Sequence, residues 1–253
     1  MLFRSPPMGD GAAANLGSDC YTPKQVAVTI GTTTALRVVL TDLPDTIPQG
    51  LWCYRVDKQH CLVGGAMTEG GNIHAWLLDL LNLSSVPDLE QAISQIKPDS
   101  HHLTFLPLLS GERSPGWNPQ ARGIIDGLSL STTPVEIIRA SLEGVCYRID
   151  QVYQQLRSIL PLEPEITAGG GAIMHSPTWL QILADVLGQP IKLAPILEAS
   201  ARGVAWQTLK NLGVRMQEYH TPSDIYSPDP ETHKIYQKAA QRQYRLYEIN
   251  YTK

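Results

Sequence analysis

The spacing of apolar residues changes partway along this chain, and the change separates two kinds of element. In "QVAVTI" the residues Val26, Val28 and Ile30 alternate with others, and after "GTTT" the alternation resumes at Leu36, Val38 and Leu40 of "ALRVVL". A period of two lays one side of a strand against a core. "LWCYRV" and "HCLVGGAM" continue as strands, and from "GGNIHAWLLDLLNL" the period becomes 3.6, with Ile73, Trp76, Leu77, Leu80 and Leu81 on one helical face. "HHLTFLPLL" reads as a buried strand and "SGERSPGWNPQARGIIDGLSLS" as a long polar loop. Thr133, Pro134 and Glu136 fit the N-cap, N1 and N3 positions of a capping box. They open a helix with its apolar face at Val135, Ile138, Leu142, Val145, Ile149, Val152 and Leu156.

Beyond it, "EITAGGGA" predicts a strand ending in three glycines, and "SPTWLQILADVLG" a helix with Ser176 as N-cap, Pro177 at N1 and Gly188 past its end. "PIKLAP" is a strand and "ASARGVAWQTLKNLG" a helix. "DPETHKIYQKAAQRQYRLYEI" is a final amphipathic helix carrying Ile235, Tyr236, Ala239, Ala240, Tyr244 and Tyr247. Strands in succession, then helices and strands in alternation, predict an α/β fold: a mixed sheet with helices packed on its faces.

Composition narrows the function classes. The chain has 253 residues, 43% hydrophobic and 17% charged, with a formal net charge of -4. It has no run of Lys and Arg interleaved with aromatics, so nucleic acid is not an expected partner. The apolar runs are too short to span a bilayer, and "AWLLDLLNL" is broken by Asp79, so no membrane is expected and a cytoplasmic location is. Cys20, Cys53, Cys61 and Cys146 form no C-x-x-C pair and no metal-ligand spacing, which points to reduced thiols and no metal site of their own.

Three glycine-containing turns carry the candidate chemistry. The "GTTT" turn offers backbone N–H groups and hydroxyls suited to phosphate oxygens, and is equally a plain hairpin turn. "AGGGAIMHSP" can lay a nucleotide on bare backbone near a helix N-terminus, or simply permit close packing. "EGGNIHAW" sets a third glycine pair before a helix. Together they favour a nucleotide site more than any one does.

The stretches "GERSPGWNPQARGIIDGLSLSTTPVEIIRASLEGVCYRIDQV", "GGGAIMHSPTWLQILADVLGQPI" and "EASARGVAW" resemble, in order, the C-terminal domain of the FGGY family of carbohydrate kinases, in the manner of gluconate and xylulose kinases. The resemblance implies a ribonuclease H-like, actin-like ATPase domain over residues 21–253, preceded by an interdomain junction loop over residues 1–20. It also implies ATP or ADP as cofactor, with transfer of the γ-phosphate to a hydroxyl of a sugar, sugar acid or polyol. In "MGDGAAANLGS" the family's general base falls on Asp10, where a carboxylate takes the proton of the attacking hydroxyl. Thr32 and Thr33 match the phosphate turn, although the family more often has Ser-Gly where Thr33 and Thr34 stand here. Gly71 matches a position near the phosphates and ribose, and Gly170 and Gly171 the loop that accepts adenosine, with Ser176 closing the nucleotide set. His175 is expected to be an exposed loop histidine.

Other conspicuous residues read as structural. Arg113 and Arg122 are expected to brace their loop, with Glu143 and Glu198 as possible partners, and Trp76, Trp117, Trp179 and Trp206 to anchor core or loops. FGGY kinases also need an N-terminal domain with its own phosphate turn and most of the Mg²⁺ and sugar contacts, which this sequence does not contain. Three readings follow: a kinase C-terminal half that acts with a separate N-terminal domain; a non-catalytic nucleotide-binding remnant or regulator, its open face covered by self-association; and an unrelated glycine-rich α/β enzyme such as a methyltransferase, disfavoured by the order of the loops.

Overall fold

The computed structural model describes residues 7–194, 196–214 and 223–252. The alternating segments form β1 (Gln25–Ile30), β2 (Thr34–Leu40), β3 (Trp52–Arg55) and β4 (Cys61–Met67). With β7 (Glu165–Gly169), β8 (Ile191–Leu193) and β9 (Ile225–Tyr226) they make one sheet in the order β3-β4-β2-β1-β7-β8-β9. The first four strands pair antiparallel, β1/β7 and β7/β8 parallel, and β9 antiparallel at the edge. The predicted mixed sheet is therefore present, and the switch of apolar period marks the change from the antiparallel strands to helical crossovers.

Helices cover both faces. On one lie α4 (Pro134–Arg157) and α5 (Pro177–Leu187), with α2 (Gly71–Leu80), α3 (Leu89–Gln95) and α7 (Pro230–Tyr251) around them. Val26, Val28, Ile30, Leu36 and Val38 meet Ile138, Leu142, Val145, Ile149 and Leu180 there in the main core. The opposite face carries α1 (Asp10–Gly17) and α6 (Ala199–Asn211) over a small cluster of Ala12, Val39 and Leu62. The alternation in β2 sorts its residues between these two cores, because successive side chains point to opposite faces.

Several expectations change on contact with the fold. The segment read as a junction loop holds α1, and the long polar loop contains β6 (Ile124–Asp126). "HHLTFLPLL" yields β5 (Thr104–Leu106), which pairs with β6 in a separate ribbon and stays out of the main sheet. Only Ile73 and Leu77 of α2 are buried, while Trp76 and Leu80, read as part of the same buried face, are exposed. Trp179 is core, Trp117 donates Nε1–H to the Gly50 carbonyl at 2.8 Å, and Trp206 stacks on Tyr21. The Thr133/Glu136 capping box forms as predicted.

The apolar stripe of α4 is buried as expected, but so are Arg139, Glu143 and Arg148. Glu143 does not pair with Arg113 or Arg122; it binds Arg139 and His101. Arg148 pairs with Glu69 and with Glu112, the buried carboxylate of "GERSP", whereas Arg113 lies exposed against Trp117. Arg122 braces its loop through the carbonyls of Pro119 and Ala121. Glu198 is exposed at the start of α6.

Candidate nucleotide and acceptor site

The three glycine turns converge. The N–H of Gly71 donates to the carbonyl of Gly31 at 2.8 Å, that of Asn72 to Thr32 at 3.1 Å, and that of Ala172 to Ile30 at 3.1 Å. Backbones this close leave no room for side chains. A methyl group at Gly71 would lie 2.6 Å from Ala172 Cβ, and one at Gly170 would lie 2.5 Å from the Ile30 oxygen, where the backbone also has φ +105°. These two glycines are required by packing. Gly171 is different: nothing lies within 4 Å of the position its Cβ would take.

Thr32 and Thr33 are exposed at the tip of the β1–β2 turn. Thr34 turns inward, its hydroxyl buried and unpartnered, beneath Gly70, whose lack of a side chain makes room for it. The Thr33-Thr34 pair is thus accommodated without closing the tip. The helix N-termini nearby are already occupied. The first amides of α2 bind the turn carbonyls. At α5, Ser176 accepts from Trp179 N–H at 3.1 Å and donates its hydroxyl to Glu90, while Glu90 also accepts from Thr178 N–H at 2.9 Å. The Ser176 hydroxyl hydrogen is committed to that cap, and Glu90 is a partner that sequence spacing did not disclose. His175 is exposed.

Beside the glycine loops, Thr29, Gly169, Gly170, Ala14 and Ser200 line a cavity of about 120 Å³. Ser200 belongs to the first turn of α6, whose N-cap residue, Glu198, makes no side-chain capping hydrogen bond among the described residues.

Asp10 opens α1 and is exposed, its Oδ1 accepting from the next amide, Gly11 N–H, at 2.7 Å. What holds it there is the crossing of α1 on α6. A methyl group at Gly17 would collide with the Ala199 carbonyl, and one at Gly203 with the Ala13 carbonyl. Arg202 clamps the far end of α1 through the Gly17 carbonyl and Asp19. The "EASARGVAW" segment therefore positions the helix that presents Asp10. Arg37 and Tyr54 flank Gly11, with Arg37 Nη1 and the Tyr54 hydroxyl 3.1 and 2.6 Å from where its Cβ would be. Neither was singled out by the sequence pattern, because an arginine in an alternating strand reads as an outward-facing residue.

Among the described residues, no group of three or more His, Cys, Asp or Glu side chains is arranged to hold a metal ion. No helix among them is long and apolar enough to cross a membrane. All four cysteines are free thiols, and burial pushes Cys20 up to about 12.

The profile of the FGGY family of carbohydrate kinases, C-terminal domain, matches residues 26–211. The chain is 30% identical over 228 residues to the gluconokinase of Bacillus subtilis, covering 85% of this chain and 44% of that protein. It is 32% identical over 201 residues to the glycerol kinase of Nitrosomonas eutropha, covering 78% and 40%. The gluconate kinase of Lactobacillus acidophilus superposes with a TM-score of 0.84 at 26% identity, over 95% of this chain and 50% of that one. The ligand-bound xylulose kinase of the same organism gives 0.85 at 25% identity, over 95% and 50%. The chain spans about half the length of the curated relatives it matches.

Proposed function

The chain belongs to the FGGY family of carbohydrate kinases, and from that premise we propose that it is the nucleotide-binding half of an ATP-dependent kinase acting on a sugar, sugar acid or polyol. The observation that carries the reading is the bare backbone of Gly171, facing open space where the three glycine turns meet. ATP or ADP would lie along Thr32, Thr33, Gly71, Gly170 and Gly171, its phosphates toward the exposed β1–β2 turn. The acceptor hydroxyl would give its proton to Asp10 as its oxygen bonds to the γ-phosphorus and the bridge to the β-phosphate breaks. Mg²⁺ supplies charge neutralisation on the phosphates in such reactions, and under this proposal its ligands belong to a second, N-terminal domain. That domain also supplies the opposite wall of the cleft and excludes water.

Calorimetric titration with ADP tests the nucleotide site. Gly171→Val is expected to leave the thermal midpoint unchanged, since its side chain enters open space, and to weaken ADP binding at least tenfold. Gly170→Ala is expected to be destabilised by about 1–3 kcal/mol, because it combines a positive φ with a backbone collision. Unchanged ADP affinity in Gly171→Val would sink the assignment.

Half-length coverage also supports a requirement for the second domain. The chain by itself is expected to bind ADP without transferring phosphate to gluconate, xylulose or glycerol. Asp10-dependent turnover by the rigorously purified chain would overturn that requirement. If a separate N-terminal domain restores no transfer on mixing, the reading that stands is a nucleotide-binding module, and light scattering would then be expected to show self-association through the uncovered face.

A further inference from the structure

Arg37 sits in the middle of β2 on the α1 face, with 9% of its surface exposed. Among the described residues its guanidinium makes one hydrogen bond, Nη2–H to Thr29 Oγ1 at 2.8 Å, and no carboxylate approaches within ion-pair distance. Its Nε is sealed from solvent without a partner. The contrast with α4 is direct, since Arg139 and Arg148, buried still more deeply, each hold a glutamate. Burial pushes the pKa of Arg37 down while Tyr54 and Asp10 act the other way, but a guanidinium keeps its proton in proteins. A buried cation with one neutral partner destabilises a fold, and such arrangements gather where ligands bind.

The surroundings are shaped to this group. Gly64 lies across from Arg37 in the β2/β4 register; a methyl group there would collide first with the Leu36 carbonyl oxygen and would also press to 3.0 Å on Arg37 Cγ and the Trp52 ring. Gly11 leaves room for Nη1 and for the Tyr54 hydroxyl, and Tyr54 stacks on Trp52 at 5.0 Å. Gly11 thus opens space for a guanidinium and a phenol beside Asp10, with the Trp52 indole stacked on the phenol. Arg37 is three residues along the strand from Thr34, about 10 Å from the phosphate turn; its Nη2 reaches Thr29 toward the glycine loops, while its Nη1 lies against Gly11, next to Asp10, on the acceptor side of the proposed reaction.

We propose that Arg37, with Tyr54, recognises a carboxylate on the phosphoryl acceptor, which makes the acceptor a sugar acid. The assignment rests on the kinase reading above. A guanidinium binds a carboxylate through charge-assisted hydrogen bonds, and here it also offsets the repulsion between that carboxylate and Asp10.

Gluconate and sorbitol test it, because they differ only in carrying a carboxylate or a hydroxymethyl group at C1. In NMR titrations of the isotope-labelled chain, gluconate is expected to shift the Arg37 Nε–H resonance and to bind at least tenfold more tightly than sorbitol. Arg37→Met should abolish that difference, keep ADP affinity within twofold and leave the thermal midpoint equal or higher, as a structural arginine would not. Arg37→Lys should retain part of the preference. Equal response to the two ligands, no response to either, or an acid preference that survives in Arg37→Met overturns the proposal. Loss of ADP binding in Arg37→Met overturns it in favour of a nucleotide phosphate as the anion. The gluconate and sorbitol comparison needs no variant, so a misfolded substitution leaves the test standing. ADP binding without acid preference overturns the Arg37 assignment alone, whereas failure of ADP binding in the unsubstituted chain counts against the kinase reading.

Discussion

Glu143→Ala is expected to lower the stability of the chain by about 3–5 kcal/mol, the cost of leaving a buried charge without its partner. Glu143 accepts four hydrogen bonds: from Arg139 Nε at 2.7 Å and Tyr236 at 3.0 Å on one oxygen, from His101 Nε2 at 3.1 Å and Tyr147 at 3.2 Å on the other. His101 Nδ1 accepts from the Leu103 amide, so Nε2 carries the hydrogen and the neutral tautomer is a donor to Glu143. Removing the carboxylate strands the Arg139 guanidinium and the His101 N–H in the core, and α4, α7 and the segment leading into β5 lose their common tie. Urea unfolding measures this as a lower midpoint at constant slope. A loss under about 1 kcal/mol would mean that the network relaxes around the gap, contrary to this account.

The pH dependence of the same site has a defined sign. Burial alone would raise the Glu143 carboxyl, but the hydrogen bond from His101 and the charge of Arg139 outweigh it and hold the pKa below the ordinary 4.5. A depressed folded value means the stabilisation is present above the unfolded pKa and disappears as pH falls through the folded one. The stability difference between the unsubstituted chain and Glu143→Gln should therefore be constant near neutrality and shrink in acid below about pH 4.

Under the proposed function, Asp10→Asn in this chain assembled with a separate N-terminal domain is expected to reduce kcat by about 10²–10⁴, the range for loss of a general base. The fold should be indifferent, since Asp10 is exposed and an asparagine oxygen can still accept from the Gly11 amide. Nucleotide affinity should not move, because Asp10 does not line the cavity beside the glycine loops, to which α1 contributes Ala14. Steady-state assays following ADP release decide the matter: a loss smaller than tenfold would remove Asp10 from the proton transfer and leave its α1 helix a purely structural element.

Much of this molecule was legible along the chain. The strands β1, β2 and β4, the capped helix α4 and the glycine-bounded α5 follow from periodicity and capping signals, because each is specified by contacts its own residues impose. The order of those elements is enough to identify a mixed sheet with helices on both faces. Short pieces such as β6, β9 and α3 were not legible. Two- to seven-residue segments have too few periods to register and form where neighbours offer a partner.

The pattern of residues alone determined which turns carry glycine and where a lone carboxylate precedes a run of small residues. The tertiary structure decided what each is for. Gly71 and Gly170 are glycines because other backbones touch them, while Gly171 faces open space, and no local signal distinguishes the three. Arg37, Arg139, Glu143 and Arg148 sit where polarity alone predicts solvent, yet all are buried. Periodicity counts charge as outward-facing, and only the packed neighbours show whether a buried charge has its counterion, as Arg139 has in Glu143, or lies beside Asp10 with none.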